Sequence, residues 1–173
     1  MTLNSSWEID QFHRKRSGLN ADAVANVIEE GKKQIKMAIK DNAIQKNEKI
    51  LKICIWHHSI QHHDSMKNSH LIDSLKNYGV KICCHGDIHE HNRDIFKYYQ
   101  KNKMHVIGGG SFGSFERIEF ASIPRLYNLI EIKHDLSTAR IHTRCQTHAN
   151  GPWGGWHQWP MKKKKHTQAC RCR

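Results

Sequence analysis

Ile50-Leu51-Lys52-Ile53-Cys54-Ile55-Trp56-His57-His58 and Val80-Lys81-Ile82-Cys83-Cys84-His85-Gly86-Asp87-Ile88-His89 decide the fold of this chain. In each, a short apolar run ends abruptly in imidazole or carboxylate groups. Runs of this kind predict strands covered on both faces, as in a largely parallel sheet. Between them, Leu71, Ile72, Leu75 and Tyr78 recur at helical spacing over about Met66 to Tyr78, and Gly79 stands where a helix-ending glycine belongs. Strand, helix and strand make a β-α-β unit. An ordinary right-handed crossover then delivers both histidine clusters to one sheet edge, beyond the carboxyl ends of the strands, where such sheets bind ligands.

Upstream, Val24, Val27, Ile28, Ile35 and Ile39 predict an amphipathic helix from Asn20 to about Lys40, with Asn20 as its N-cap and Gly31 as its weak point. Leu3-Asn4-Ser5 before it reads as a strand remnant leading into a loop. Downstream, Met104 to Ile107 predicts a short strand running into Gly108-Gly109-Gly110-Ser111-Phe112-Gly113. Tyr127 to Ile132 and Ala139 to Thr143 predict a hairpin joined at Lys133 to Thr138. No internal repeat is present. Residues 1–160 therefore read as one domain and 161–173 as a basic, disordered tail.

With 173 residues the chain is long enough for one well-filled core. Its formal charge of +12 favours polyanionic partners, yet six of the positive charges lie in Lys162 to Lys165, Arg171 and Arg173, and most of the others are dispersed. The six cysteines do not form a disulfide layout, since Cys54, Cys83 and Cys84 lie inside apolar runs where a thiol acts as a small hydrophobe. No signal peptide and no membrane-spanning run are evident, which together predict a cytoplasmic, reducing compartment without membrane association.

Imidazole and carboxylate ligands together suit Zn, Mn, Fe and Co. His57, directly after its strand, is the best-placed metal ligand of the first cluster, and His58 is better placed to contact substrate. Asp87 and His89 alternate along an extended turn, so their side chains reach neighbouring coordination positions. A histidine after a strand is also commonly a hydrogen-bonded structural residue. Two such clusters at matching strand ends shift the balance toward a site. A structural zinc at Cys83, Cys84 and His85 lacks a second pair of ligands at the usual spacing. The glycine run fits neither a dinucleotide nor a phosphate-loop pattern, and tight packing beside the site explains it better. Trp153, Trp156 and Trp159 would either stack bases or staple the tail to the domain.

Taken in order, Leu3-Asn4-Ser5, Trp56-His57-His58, His85 to Glu90, Gly108 to Gly113 and Tyr127-Asn128-Leu129-Ile130-Glu131 resemble the second half of a calcineurin-like metallophosphoesterase. The resemblance covers roughly residues 1–145. It implies the C-terminal half of a four-layer α/β/β/α sandwich and hydrolysis of a phosphomonoester or phosphodiester by metal-activated water. It places His57 on the second metal and His89 on the first, with Asp87 where a second-metal histidine usually stands, and Mn, Fe or Zn as the divalent ions. His58 would stabilise charge developing on the substrate. The family's earlier Asp-x-His, Gly-Asp and Gly-Asn-His-Asp/Glu motifs do not occur in these residues, so the expectation is a truncated or split enzyme, inactive alone, whose partner is a complementary N-terminal half. The alternative is a non-catalytic, basic nucleic-acid-binding module.

Overall fold

The computed structural model of the protein describes residues 1–13, 16–58, 69–88, 104–110, 125–148, 151–156 and 168–171. Helix α1 (Ala21–Lys40) begins where Asn20 is extended, and the Asn20 side chain accepts a hydrogen bond from the Ala23 amide at 2.9 Å. This cap satisfies an amide that a helix start leaves open and contributes about 1 kcal/mol. Val24, Val27 and Ile28 turn toward the core. Gly31 has a packing reason to be small, because a Cβ there would meet the Tyr78 hydroxyl at the end of the second helix. That helix, α2 (Ser69–Asn77), stops at Gly79, whose φ of +87° is costly for any residue with a side chain.

Strands β1 (Lys52–Trp56), β2 (Val80–Ile88) and β3 (His105–Gly110) form a parallel sheet in that order. Met1 to Leu3 run parallel beside β1, with the Leu3 amide donating to the Ile55 carbonyl at 2.8 Å and the Ile55 amide to the Met1 carbonyl at 2.9 Å. A register shift pairs Lys52 with Val80 but Ile53 with Ile82, which gives β2 one extra residue. The bulge reverses the inside and outside of β2 at that point. Val80 and Cys83 consequently pack against the helices, whereas Ile82 and Cys84 face the second sheet.

The second sheet is built on strands β4 (Arg125–Ile132) and β5 (Thr138–Gln146), an antiparallel hairpin as expected. Its turn is closed by the Lys133 amide on the Thr138 carbonyl at 3.0 Å, with Asp135 accepting from both the amide and the hydroxyl of Ser137. Strands β6 (Gly154–Gly155) and β7 (Gln168–Arg171) pair with the other edge of β5.

The fold is thus mixed α/β, with two helices and two sheets among the described residues. One core lies between the helices and the parallel sheet, centred on Val24, Cys54, Trp56, Leu75, Cys83 and Met104. The other lies between the sheets and is formed by Ile82, Ile107, Ala139 and Ile141 with Ile53, Ile130 and Ile132 against them. The layers run helices, parallel sheet, antiparallel sheet. Among the described residues no helix covers the outer face of the antiparallel sheet, where Tyr127 and Leu129 are exposed. No helix among them is long and apolar enough to cross a membrane.

Asn128 fastens the two sheets together. Its side-chain amide donates to the Gly108 carbonyl at 2.7 Å and its carbonyl accepts from the Thr143 hydroxyl at 2.6 Å. Removing it leaves the Gly108 carbonyl and the Thr143 hydroxyl without these partners, so Asn128→Ala is expected to cost about 1–3 kcal/mol by urea denaturation. A change below about 0.5 kcal/mol would show that the joint is dispensable. Gly110 lies at the same junction, where a Cβ would collide with the Leu126 side chain.

Three expectations need correction. The stretch from Gly86 onward is not a turn from its start, because β2 continues through Gly86, Asp87 and Ile88. Gly108 to Gly110 likewise belong to β3. The cause is shared: β2 is the middle strand, and its pairing with β3 carries on through Ile88 and Gly110 after the contact with β1 has ended. Finally, part of the basic tail is ordered as β7, since an edge strand can be recruited by backbone pairing to β5 without an apolar pattern of its own.

Burial governs the titrating groups of the core. It pushes the Cys54 thiol up to about 11 and the Cys83 thiol higher still, so both remain protonated hydrophobes. His105, buried at the start of β3 near Lys81, is held below the usual histidine range by desolvation and then by that lysine's charge. The folded state therefore resists a proton that the unfolded chain accepts. Stability should be full above about pH 6.5 and fall as pH drops below it. Urea midpoints measured across this range should decline, and the decline should shrink in His105→Gln.

Candidate metal and phosphate site

His57 of the first cluster and Gly86 of the second come together at the carboxyl end of the parallel strands. Trp56 and His85 are paired in register, and His85 is paired in turn with Gly108. Alternation along β1 puts Trp56 toward the helices and His57 toward the second sheet. Gly86 presents its bare Cα to the same side. A Cβ on Gly86 would lie 3.3 Å from His57 Nδ1 and 3.5 Å from the His57 carbonyl oxygen. The glycine therefore makes room for the imidazole, and His57 rests on the strand that leads into Asp87 and His89.

His57 is exposed, and among the described residues its ring makes no hydrogen bond. It meets the His58 ring edge-on, with centroids 4.8 Å apart. A nitrogen of His57 is thus available to a metal ion. His58 is differently placed: its Nδ1 is 2.8 Å from the hydroxyl of Ser5, a residue only 1% exposed. The same hydroxyl receives the backbone amides of His57 at 3.2 Å and His58 at 3.1 Å. The Ser5 carbonyl accepts from the Gly18 amide at 3.1 Å, closing the loop that leaves the Leu-Asn-Ser segment.

His85, the other histidine in the second cluster, lies on the opposite face, toward the helices. It is buried, with its Nδ1 2.9 Å from the Gly86 carbonyl, which only accepts, so the proton is on Nδ1. The sheet separates it from His57. Cys83 and Cys84 also face opposite layers and are free thiols, as are Cys54 and Cys145.

Of the expected site residues, His57 and His58 stand at the edge as anticipated. Asp87 is placed there by its backbone position in β2. His89 lies outside the described residues, as do His62, His63, His166 and Trp159. Among the described residues no group of three or more His, Cys, Asp or Glu side chains gathers closely enough to hold a metal. Trp153 packs edge-on against Tyr127 at 4.9 Å, and the Trp156 amide donates to the Thr143 carbonyl at 3.0 Å. Both contacts agree with a tail stapled to the domain. Ser5 is the residue that sequence reasoning passed over, because its partners are 52 and 53 positions away.

No protein-family model matches the chain, and no curated protein matches it significantly.

Proposed function

We propose that this chain is part of a metal-dependent phosphoester hydrolase, with His57, Asp87 and His89 as its share of the metal ligands. The observation that carries the proposal is the seat of His57 on Gly86, which brings motifs about 30 residues apart to one strand edge. The donor chemistry fits, since an exposed imidazole beside a carboxylate-bearing strand suits Mn, Fe or Zn. Divalent ions held there would supply a Lewis acid for phosphoryl oxygen and a means of activating water.

The chain's own residues have distinct tasks in this proposal. His57 holds metal at the end of β1, Asp87 and His89 approach from β2 and beyond, and His58 contacts the phosphoryl group. These three ligands are not enough for a complete two-metal centre, so a complementary segment carrying the remaining ligands is part of the proposal. In the α/β/β/α architecture of calcineurin-like phosphoesterases, such a segment would supply the other half.

The test is manganese-dependent hydrolysis of a p-nitrophenyl phosphodiester by the whole chain beside His89→Ala. Turnover lost in the variant supports the proposal, as does stoichiometric metal without turnover. The absence of both metal binding and turnover refutes it. Gly86→Ala gives a finer check, because its methyl group crowds His57 Nδ1. It should weaken metal binding by about tenfold, as displaced ligand geometry does elsewhere, with little change in melting temperature.

A second reading has its own observation. Arg140 and Arg144 are exposed on the outer face of β5, Arg140 across from Glu131 and Arg144 opposite the exposed Tyr127. Such a face suits a single-stranded nucleic acid. Binding that falls steeply with salt and survives chelation would favour it.

A further inference from the structure

We propose that Ser5 is a positioning residue that fixes His58 in the tautomer carrying its proton on Nε2, making His58 a hydrogen-bond donor to phosphate and not a metal ligand. The assignment follows from counting. A serine hydroxyl has one proton to donate and two lone pairs to accept with. Both lone pairs of Ser5 Oγ are taken, by the amides of His57 at 3.2 Å and His58 at 3.1 Å. Its one proton is left for His58 Nδ1 at 2.8 Å. An N–H at Nδ1 would face an oxygen with nothing left to accept it. The proton of the neutral ring therefore sits on Nε2.

This arrangement divides the work of two adjacent histidines. His58 has Nδ1 committed to Ser5 and Nε2 protonated, so neither nitrogen offers a lone pair to a metal. His57 has no such anchor and keeps one. Ser5 is buried and held in place through its own carbonyl by the Gly18 amide at 3.1 Å, so the hydroxyl is fixed before any ligand arrives. An N–H fixed beside a metal ligand is suited to a phosphoryl oxygen, where a preset donor needs no reorganisation. The role toward phosphate rests on the phosphoester proposal above, whereas the tautomer does not.

Long-range proton–nitrogen NMR of the whole chain, with its imidazoles neutral, tests the tautomer directly. The expected spectrum shows His58 protonated on Nε2 in the parent and in Ser5→Thr, which keeps the hydroxyl, and a mixture of tautomers in Ser5→Ala. A parent protonated on Nδ1 overturns the proposal. Should Ser5→Ala fail to fold, the parent and Ser5→Thr spectra decide the matter alone. The phosphate role is read by titrating inorganic phosphate into the zinc-loaded chain. Ser5→Ala and His58→Ala should each weaken binding by about tenfold with zinc stoichiometry unchanged, the size expected when an orienting partner is lost. Unchanged phosphate affinity in both variants overturns that role. Failure of the parent to bind zinc refutes the phosphoester proposal and leaves the tautomer assignment standing.

Discussion

Leu75→Ala is expected to lower the unfolding free energy by about 2–5 kcal/mol, the cost of emptying a fully packed leucine site. Leu75 has no exposed surface and belongs to the core shared by α2, α1 and the helix-facing side of the parallel sheet. Its helix has only nine residues, too few to persist in water by propensity. Packing must hold it, and Leu71, Ile72 and Leu75 are its buried residues. Since α2 is the crossover between β1 and β2, loosening it also loosens the register that aligns the two histidine clusters. Urea denaturation provides the measurement, with exposed Asn77→Ala as a control expected to stay within about 0.5 kcal/mol. A Leu75→Ala cost below about 1 kcal/mol would mean that the helix layer is not docked as described.

His57→Ala is expected to do the reverse, removing function while sparing the fold. The side chain is exposed and makes no hydrogen bond among the described residues, so little stability should depend on it. As the proposed metal ligand at the end of β1, its loss should weaken zinc or manganese binding by more than the roughly 10–100-fold seen when only an orienting partner is removed. His70→Ala, on the exposed side of α2, should leave metal affinity unchanged. A melting temperature that drops with His57→Ala while metal affinity holds would make this histidine structural.

Much of the framework was legible because its signals are local. Asn20 as an N-cap, Gly79 as a helix end and the apolar runs of β1 and β2 each act through residues within a turn or two, and the structure follows them. What sequence could not supply lies in pairing at a distance. Gly86 to Ile88 and Gly108 to Gly110 have the composition of turns, and they become strands because β2 and β3 continue to pair. Gln168 to Arg171 has no apolar alternation and joins the sheet through the open edge of β5. The bulge that sends Val80 and Ile82 to opposite layers is a matter of register, which no single strand encodes.

The site divides in the same way. His57 and His58 could be picked out by their place after a strand. Their different environments depend on Ser5 and Gly86, and neither has a local signature. Ser5 reads as one more polar residue in a loop, and Gly86 as one more turn glycine, until the fold brings each against the histidines.

Calorimetric titration of zinc into the whole chain and into His89→Ala tests the proposed metal site most directly, because His89 is the ligand that the resemblance demands and the described residues do not include. Saturable binding by the parent, lost or greatly weakened in His89→Ala, is the expected result. Equal binding by both, or none by the parent, would contradict a metal site at this strand edge.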